Sequence, residues 1–143
     1  MFMGEFQHNV DDKGRLIIPA KFRNQLGDQF MVTRGLDGCL FGYPMAQWQA
    51  LVDKTQALSL TKRDARAFAR FLFAGATECE FDKQGRINIP GPLREHAKLD
   101  KACVIVGVSE RFEIWSASQW VQYNEQTGAN IDEISEAMGD FDF

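Results

Sequence analysis

A chain of 143 residues that is 45% hydrophobic and 12% aromatic has a globular makeup and the length of one ordinary domain, or of two small ones that share a core. No apolar run approaches the roughly 18 residues that span a bilayer, and the start "MFMGEFQHNVDDKGR" lacks the basic-then-apolar order of a secretion signal, so a cytoplasmic location is expected. A net charge of -4 argues against a nucleic-acid partner only until the acids are placed: six of the twenty lie beyond Asn124, where no Lys or Arg occurs, leaving sixteen bases against fourteen acids before it.

In chain order, Phe6, His8 and Val10 alternate with polar neighbours, the period-two mark of a half-buried strand. The turn that follows contains Gly14, which supplies the positive φ of a tight or bulged hairpin. A very short strand then ends at Pro19, which suits the first position of the short helix "PAKFRNQL". "FMVTRGLDGCLFGYPMAQW" reads as a β-branched strand, a turn, an aromatic-rich strand and a Gln-Trp pair. Pro44 to Phe73 reads as two helices broken near "LSLT", with Thr61 as N-cap of the second. In that helix Ala65, Phe68, Ala69 and Leu72 make an apolar stripe, and Arg63, Arg66 and Arg70 line another face.

The plan then repeats. Cys79 and Phe81 alternate with Glu78, Glu80 and Asp82, a turn contains Gly85, a short strand ends at Pro90, "PGPLREHAKL" is a short helix, and "CVIVGVSERFEIWSASQW" matches the earlier hairpin. Helix from roughly Ala117 to Met138 trails into "GDFDF", too polar and terminal to be expected in ordered form. At an offset of 71 residues, Asp11, Gly14, Arg15, Ile18, Pro19 and Arg23 coincide with Asp82, Gly85, Arg86, Ile89, Pro90 and Arg94.

Four short strands and one small helix cannot close a core alone. The expected fold is therefore mixed α+β with a mainly β core, in which two pseudo-symmetric units form a shared small barrel flanked by helices. The units span 5–47 and 76–119, with a helical connector over 48–75 and a C-terminal helix and acidic tail over 120–143.

Enzyme signatures are scarce: G-x-S-x-G, the phosphate-binding glycine loops and H-E-x-x-H are absent, and His8 and His96 occupy non-equivalent places. Cys39, Cys79 and Cys103 have no metal-ligand spacing and read as packed thiols. No catalysis, cofactor, metal or small-molecule substrate is expected. Glu78, Glu80 and Asp82 with Lys83 would suit a metal-dependent nuclease, but they also form the polar side of an alternating strand, and the first unit has no match. The repeated turn stands out more. Lys13, Arg15, Lys21 and Arg23 lie close together, the second copy offers Lys83, Arg86 and Arg94, and a guanidinium carried on a hairpin fits a guanine edge or a phosphate.

The doubled motif "DDKGRLIIPAKFR" and "DKQGRINIPGPLR", with "RFEIW" at Arg111 to Trp115 and with Trp48 and Trp120 after the two units, resembles the MraZ family of bacterial transcription regulators from about Met1 to Tyr123. The resemblance implies a tandem pair of SpoVT/AbrB-like swapped-hairpin units and ring-shaped homo-oligomers. It also implies binding, commonly as a repressor, to short G-rich direct repeats in double-stranded DNA upstream of the division and cell-wall gene cluster, in association with the nucleoid. Carried over, the DNA-contacting positions are Lys13 and Arg15 in one loop and Lys83 and Arg86 in the other, shaped by Asp11, Gly14, Asp82 and Gly85. Arg15 is expected at the working tip. The second loop is less basic, since Pro92 stands for Lys21. A different class, a protein-binding module of antitoxin type with the tail "EISEAMGDFDF" as docking peptide through Phe141 and Phe143, stays open.

Overall fold

The computed structural model describes residues 1–140. The first half comprises β1 (Phe2–Asn9), β2 (Arg15–Ile17), α1 (Ala20–Leu26), β3 (Gln29–Arg34), β4 (Leu40–Pro44) and α2 (Met45–Gln56). After α3 (Arg63–Ala74) come β5 (Thr77–Glu80), β6 (Arg86–Asn88), α4 (Gly91–His96), β7 (Ala102–Ser109), β8 (Arg111–Ser116), α5 (Ala117–Gly128) and α6 (Ile131–Ala137). The break between α2 and α3 falls where it was expected. Thr61 is not the N-cap, however. Lys62 holds that place without a side-chain bond, and the Thr61 hydroxyl is engaged by Ser59 at 2.8 Å. Pro19 and Pro90 likewise sit one residue earlier than expected, as N-caps, and the Pro19 carbonyl accepts from Phe22 and Arg23.

Six strands form one antiparallel sheet in the order β1-β7-β8-β4-β3-β5, and β2 pairs with β6 as a separate two-stranded ribbon. This differs from the expected shared small barrel, since no closed barrel forms among the described residues. Beyond Asn9 and Glu80 the chain leaves the sheet to enter the glycine turns, and β2 and β6 then pair with each other, so among the described residues nothing joins the edge strands β1 and β5. Many neighbours come from opposite halves: β1 lies along β7, β5 along β3, and β4 meets β8 at the centre.

The core lies under the sheet and is shared by the halves. Leu16, Ile18 and Phe22 interleave with Ile87, Ile89 and Leu93, and full burial of each such side chain contributes about 1.5–3 kcal/mol. Phe112 from β8 approaches the rings of Phe2, Phe22 and Phe30 at centroid distances of 5.8, 6.0 and 5.9 Å. Gly42 makes room for it, because a Cβ there would sit 2.2 Å from the Phe112 ring. Phe81 lies just past β5 and stacks on Phe30 at 5.0 Å.

A second cluster joins Cys39, Val104, Val106 and Trp115 to Trp120 and Tyr123, seating α5 on the sheet. Within "RFEIW", buried Glu113 accepts from Arg111 Nη2 at 2.9 Å and from Trp115 Nε1 at 3.0 Å, while Arg111 lies over the Phe41 ring at 4.3 Å. That motif is an internal brace. On α3 the apolar stripe is only partly covered: Leu72 is buried, but Phe68 is 37% exposed. All three thiols are free and buried, and burial pushes Cys79 to about 12 and Cys103 to about 11.

Candidate nucleic-acid interface

Each glycine turn is built the same way. The Asp11 N–H donates to the Arg15 carbonyl at 2.9 Å and the Gly14 N–H returns to the Asp11 carbonyl at 3.0 Å, and the bonds Asp82–Arg86 and Gly85–Asp82 repeat this at 2.9 and 3.1 Å. Gly14 and Gly85 have φ of +79° and +76°, the left-handed conformation that glycine enters without a Cβ clash. The aspartate side chain fills the turn from inside. Asp11 Oδ1 accepts from the N–H groups of Lys13 and Arg15 at 3.0 and 2.8 Å, and Asp82 Oδ1 accepts from Gln84 and Arg86 at 2.9 Å each.

The second carboxylate oxygen of each aspartate holds the arginine. Asp11 Oδ2 accepts from Arg15 Nε at 2.8 Å, and Asp82 Oδ2 from Arg86 Nε at 2.7 Å. Among the described residues, no hydrogen bond occupies the terminal nitrogens of either arginine. A guanidinium fixed through Nε presents its two Nη groups as a pre-aimed fork, so less rotamer freedom is lost on binding.

Pairing of β2 with β6 places Arg15 opposite Asn88 and Ile17 opposite Arg86. Strand alternation then sends Arg15, Ile17, Arg86 and Asn88 to one side of the ribbon and Leu16 and Ile87 to the other. Leu16 and Ile87 are buried, Ile17 is 37% exposed, and the side chains of Arg15 and Arg86 are 32% and 24% exposed. The two arginines therefore share one solvent-facing surface, with Arg86 Nη1 reaching to 4.0 Å from Asp11 Oδ2 of the other half. Lys13 and Lys83 are both exposed beside it.

One expectation changes here. Arg15 is not the tip of its loop but the first residue of β2, and the turn is Asp12–Lys13. The two lysines occupy different places in their loops. Gln84 makes the N–H bond that Lys13 makes, and Lys83 stands where the first loop has Asp12. The carboxylates proposed for a nuclease are not assembled either: Glu80 accepts from Gln29 at 2.9 Å, and Asp82 is committed to its turn. Among the described residues no three His, Cys, Asp or Glu side chains gather as a metal-holding group, and no helix is long and apolar enough to cross a membrane.

Arg23 and Arg94 received no separate role from the sequence, although their recurrence at the 71-residue offset was the available signal. Arg23 Nη1 donates to the Ile18 carbonyl and Arg94 Nη1 to that of Ile89. Their guanidinium groups lie against Gly85 and Gly14, each in the opposite half.

Hydrogen bonding gives the aspartates a pH signature. The Arg15 N–H, followed by the Arg15 side chain and the Lys13 N–H, holds Asp11 below the usual carboxylate value against a smaller desolvation effect, and Arg86 and Gln84 do the same for Asp82. A carboxylate whose folded pKa is depressed stabilises the turn fully above its unfolded value of about 3.9, and that contribution is lost as pH falls through the lower folded value. The Nε–H resonances of Arg15 and Arg86 should thus stay fixed from neutral pH down to about 4 and move only below it. Movement centred near pH 6 would place another group in control.

A family model described as "MraZ protein, putative antitoxin-like" matches the chain twice, over residues 1–71 and 72–142. A protein of Limosilactobacillus reuteri named Transcriptional regulator MraZ is 66% identical over 138 residues, covering 96% of this chain and 97% of its own. Proteins of the same name from Ligilactobacillus salivarius and Desulforamulus reducens are 63% and 59% identical, over 99% and 98% of this chain and 99% of theirs. On a doubled match that covers nearly every residue, the chain belongs to the MraZ family.

Proposed function

We propose that this protein is a DNA-binding transcriptional regulator that reads double-stranded DNA with the β2–β6 ribbon. One observation carries the reading: Arg15 and Arg86, each anchored through Nε by an aspartate, stand on one solvent-facing surface. Their Nη groups would engage guanine edges or phosphates, while Lys13 and Lys83 add sequence-independent attraction. The name carried by the relatives supports the regulatory role.

In this reading 5–47 and 76–119 are swapped-hairpin units of SpoVT/AbrB type. Support comes from the strand order, which is unchanged when β1, β3 and β4 are exchanged with β5, β7 and β8. A single ribbon with two arginines binds weakly, and the chain as a whole is acidic, so several copies at fixed spacing are needed. A ring of this chain on G-rich direct repeats, repressing the division and cell-wall cluster at the nucleoid, meets that requirement. The exposed apolar residues Leu60, Phe68 and Val121 are the kind of surface through which copies associate. Loss of affinity for the upstream duplex when both arginines are removed, with fold and assembly retained, is the outcome this reading requires.

An antitoxin-type module is the second reading, favoured by the family description and by α6, whose Ile131 and Ile134 are exposed together with its C-cap Met138. Phe141 and Phe143, the anchors expected for such a peptide, lie outside the described residues.

A further inference from the structure

The doubled turn is held from outside its own half. Gly14 and Gly85 are buried although they belong to surface turns, and what covers each is an arginine from the other half's short helix. A Cβ on Gly14 would lie 2.0 Å from Arg94 Nη1 and 2.8 Å from its Cζ. One on Gly85 would lie 2.6, 2.7 and 2.9 Å from Nη1, Cζ and Nε of Arg23, so the guanidinium plane rests on the glycine. The same atoms are tied into the backbone that joins the halves. Arg94 Nη1 donates to the Ile89 carbonyl, and the Ile89 N–H donates to the Gly14 carbonyl at 2.8 Å. Reciprocally, Arg23 Nη1 donates to Ile18, and the Ile18 N–H donates to Gly85 at 3.1 Å.

We infer that Arg23 and Arg94 are positioning residues that clamp the opposite hairpin, so that Arg94 fixes the loop bearing Lys13 and Arg15, and Arg23 fixes the loop bearing Lys83 and Arg86. The functional part of this inference rests on the DNA-binding reading above; the clamp itself does not. The glycines are thus required twice, for their positive φ and as seats for a guanidinium. A guanidinium suits the task because its flat face covers the glycine while its edge donates to a carbonyl. The two loops are consequently set as a pair, each depending on a helix distant in the chain, since Arg94 lies 80 residues after Gly14 and Arg23 lies 62 before Gly85.

Hydrogen exchange on the full chain without DNA tests the clamp. Arg94→Met keeps the stem and removes the fork. It should speed exchange of the Lys13, Gly14 and Arg15 amides at least fivefold while peptides spanning 82–88 are unchanged, and Arg23→Met should give the mirror result. Faster exchange confined to the variant's own half, equal in both loops, or absent would overturn the inference. Should Arg94→Met loosen the core strands as well, Arg94→Lys is read by the same criterion. With the upstream duplex added, Arg94→Met should combine less than additively with Lys13→Ala and additively with Lys83→Ala. A crossed exchange pattern without sequence-specific DNA binding in the parent protein would leave the clamp standing and reject the DNA reading alone.

Discussion

Replacing both ribbon arginines, Arg15→Ala/Arg86→Ala, should abolish specific binding to the upstream DNA while leaving the protein folded. Each bidentate guanine contact contributes about 1–3 kcal/mol of discrimination, so two lost at every engaged protomer would multiply into a large loss across several copies. The fold should tolerate the change because both side chains lie on the solvent side of the ribbon, 32% and 24% exposed, and water can take the place of the lost donors at Asp11 and Asp82. The Arg15→Lys/Arg86→Lys variant separates charge from shape. An ammonium retains phosphate attraction, and with it most of the salt dependence, but it has no fork to aim, so preference for the operator over unrelated duplex should fall. Competition binding at two salt concentrations checks both statements.

The largest effect on stability is expected from Phe112→Ala. Phe112 is fully buried on central strand β8 and meets Phe2, Phe22 and Phe30, so its loss opens a cavity where elements of both halves converge. Phenylalanine-to-alanine changes in such sites cost about 3–5 kcal/mol, against a total of about 5–15 kcal/mol for a typical domain. The melting temperature should fall by on the order of 10 °C or more. Phe68→Ala on α3, where the ring is 37% exposed, should change it far less. Thermal and denaturant unfolding of the two variants side by side measures the difference, and equal effects would mean that Phe68 is covered in the assembled protein.

Local features were the legible part of this molecule. The glycine turns, the short strands a little before Pro19 and Pro90, and the break between α2 and α3 all follow from turn chemistry and periodicity within a few residues. The 71-residue repeat also announced two related halves. What it could not announce was which strands pair across the repeat. Alternation in β1 says that one face is buried, but not that β7 lies beside it. The open sheet with a separate ribbon, in place of a barrel, is a matter of such long-range pairing.

The candidate site was legible to the same depth. Arg15 and Arg86 were evident as repeated charges, but their common surface depends on the β2–β6 register, and the Nε anchors depend on where Asp11 and Asp82 point. Aligned on the glycine, Gln84 stands where the first loop has Lys13 and Lys83 where it has Asp12, so the two loops present their lysines at different places. Arg23 and Arg94 looked like part of a basic cluster. Their contacts cross between halves, and spacing along the chain carries no trace of that.

The most direct test of the central claim is a hydroxyl-radical footprint on the protein's own upstream DNA, with the mass of the bound species measured in parallel at several salt concentrations. Evenly spaced protections beneath a multi-copy complex, absent with Arg15→Ala/Arg86→Ala, are the predicted result. Protection that persists unchanged in that variant, with the assembly intact, would contradict it.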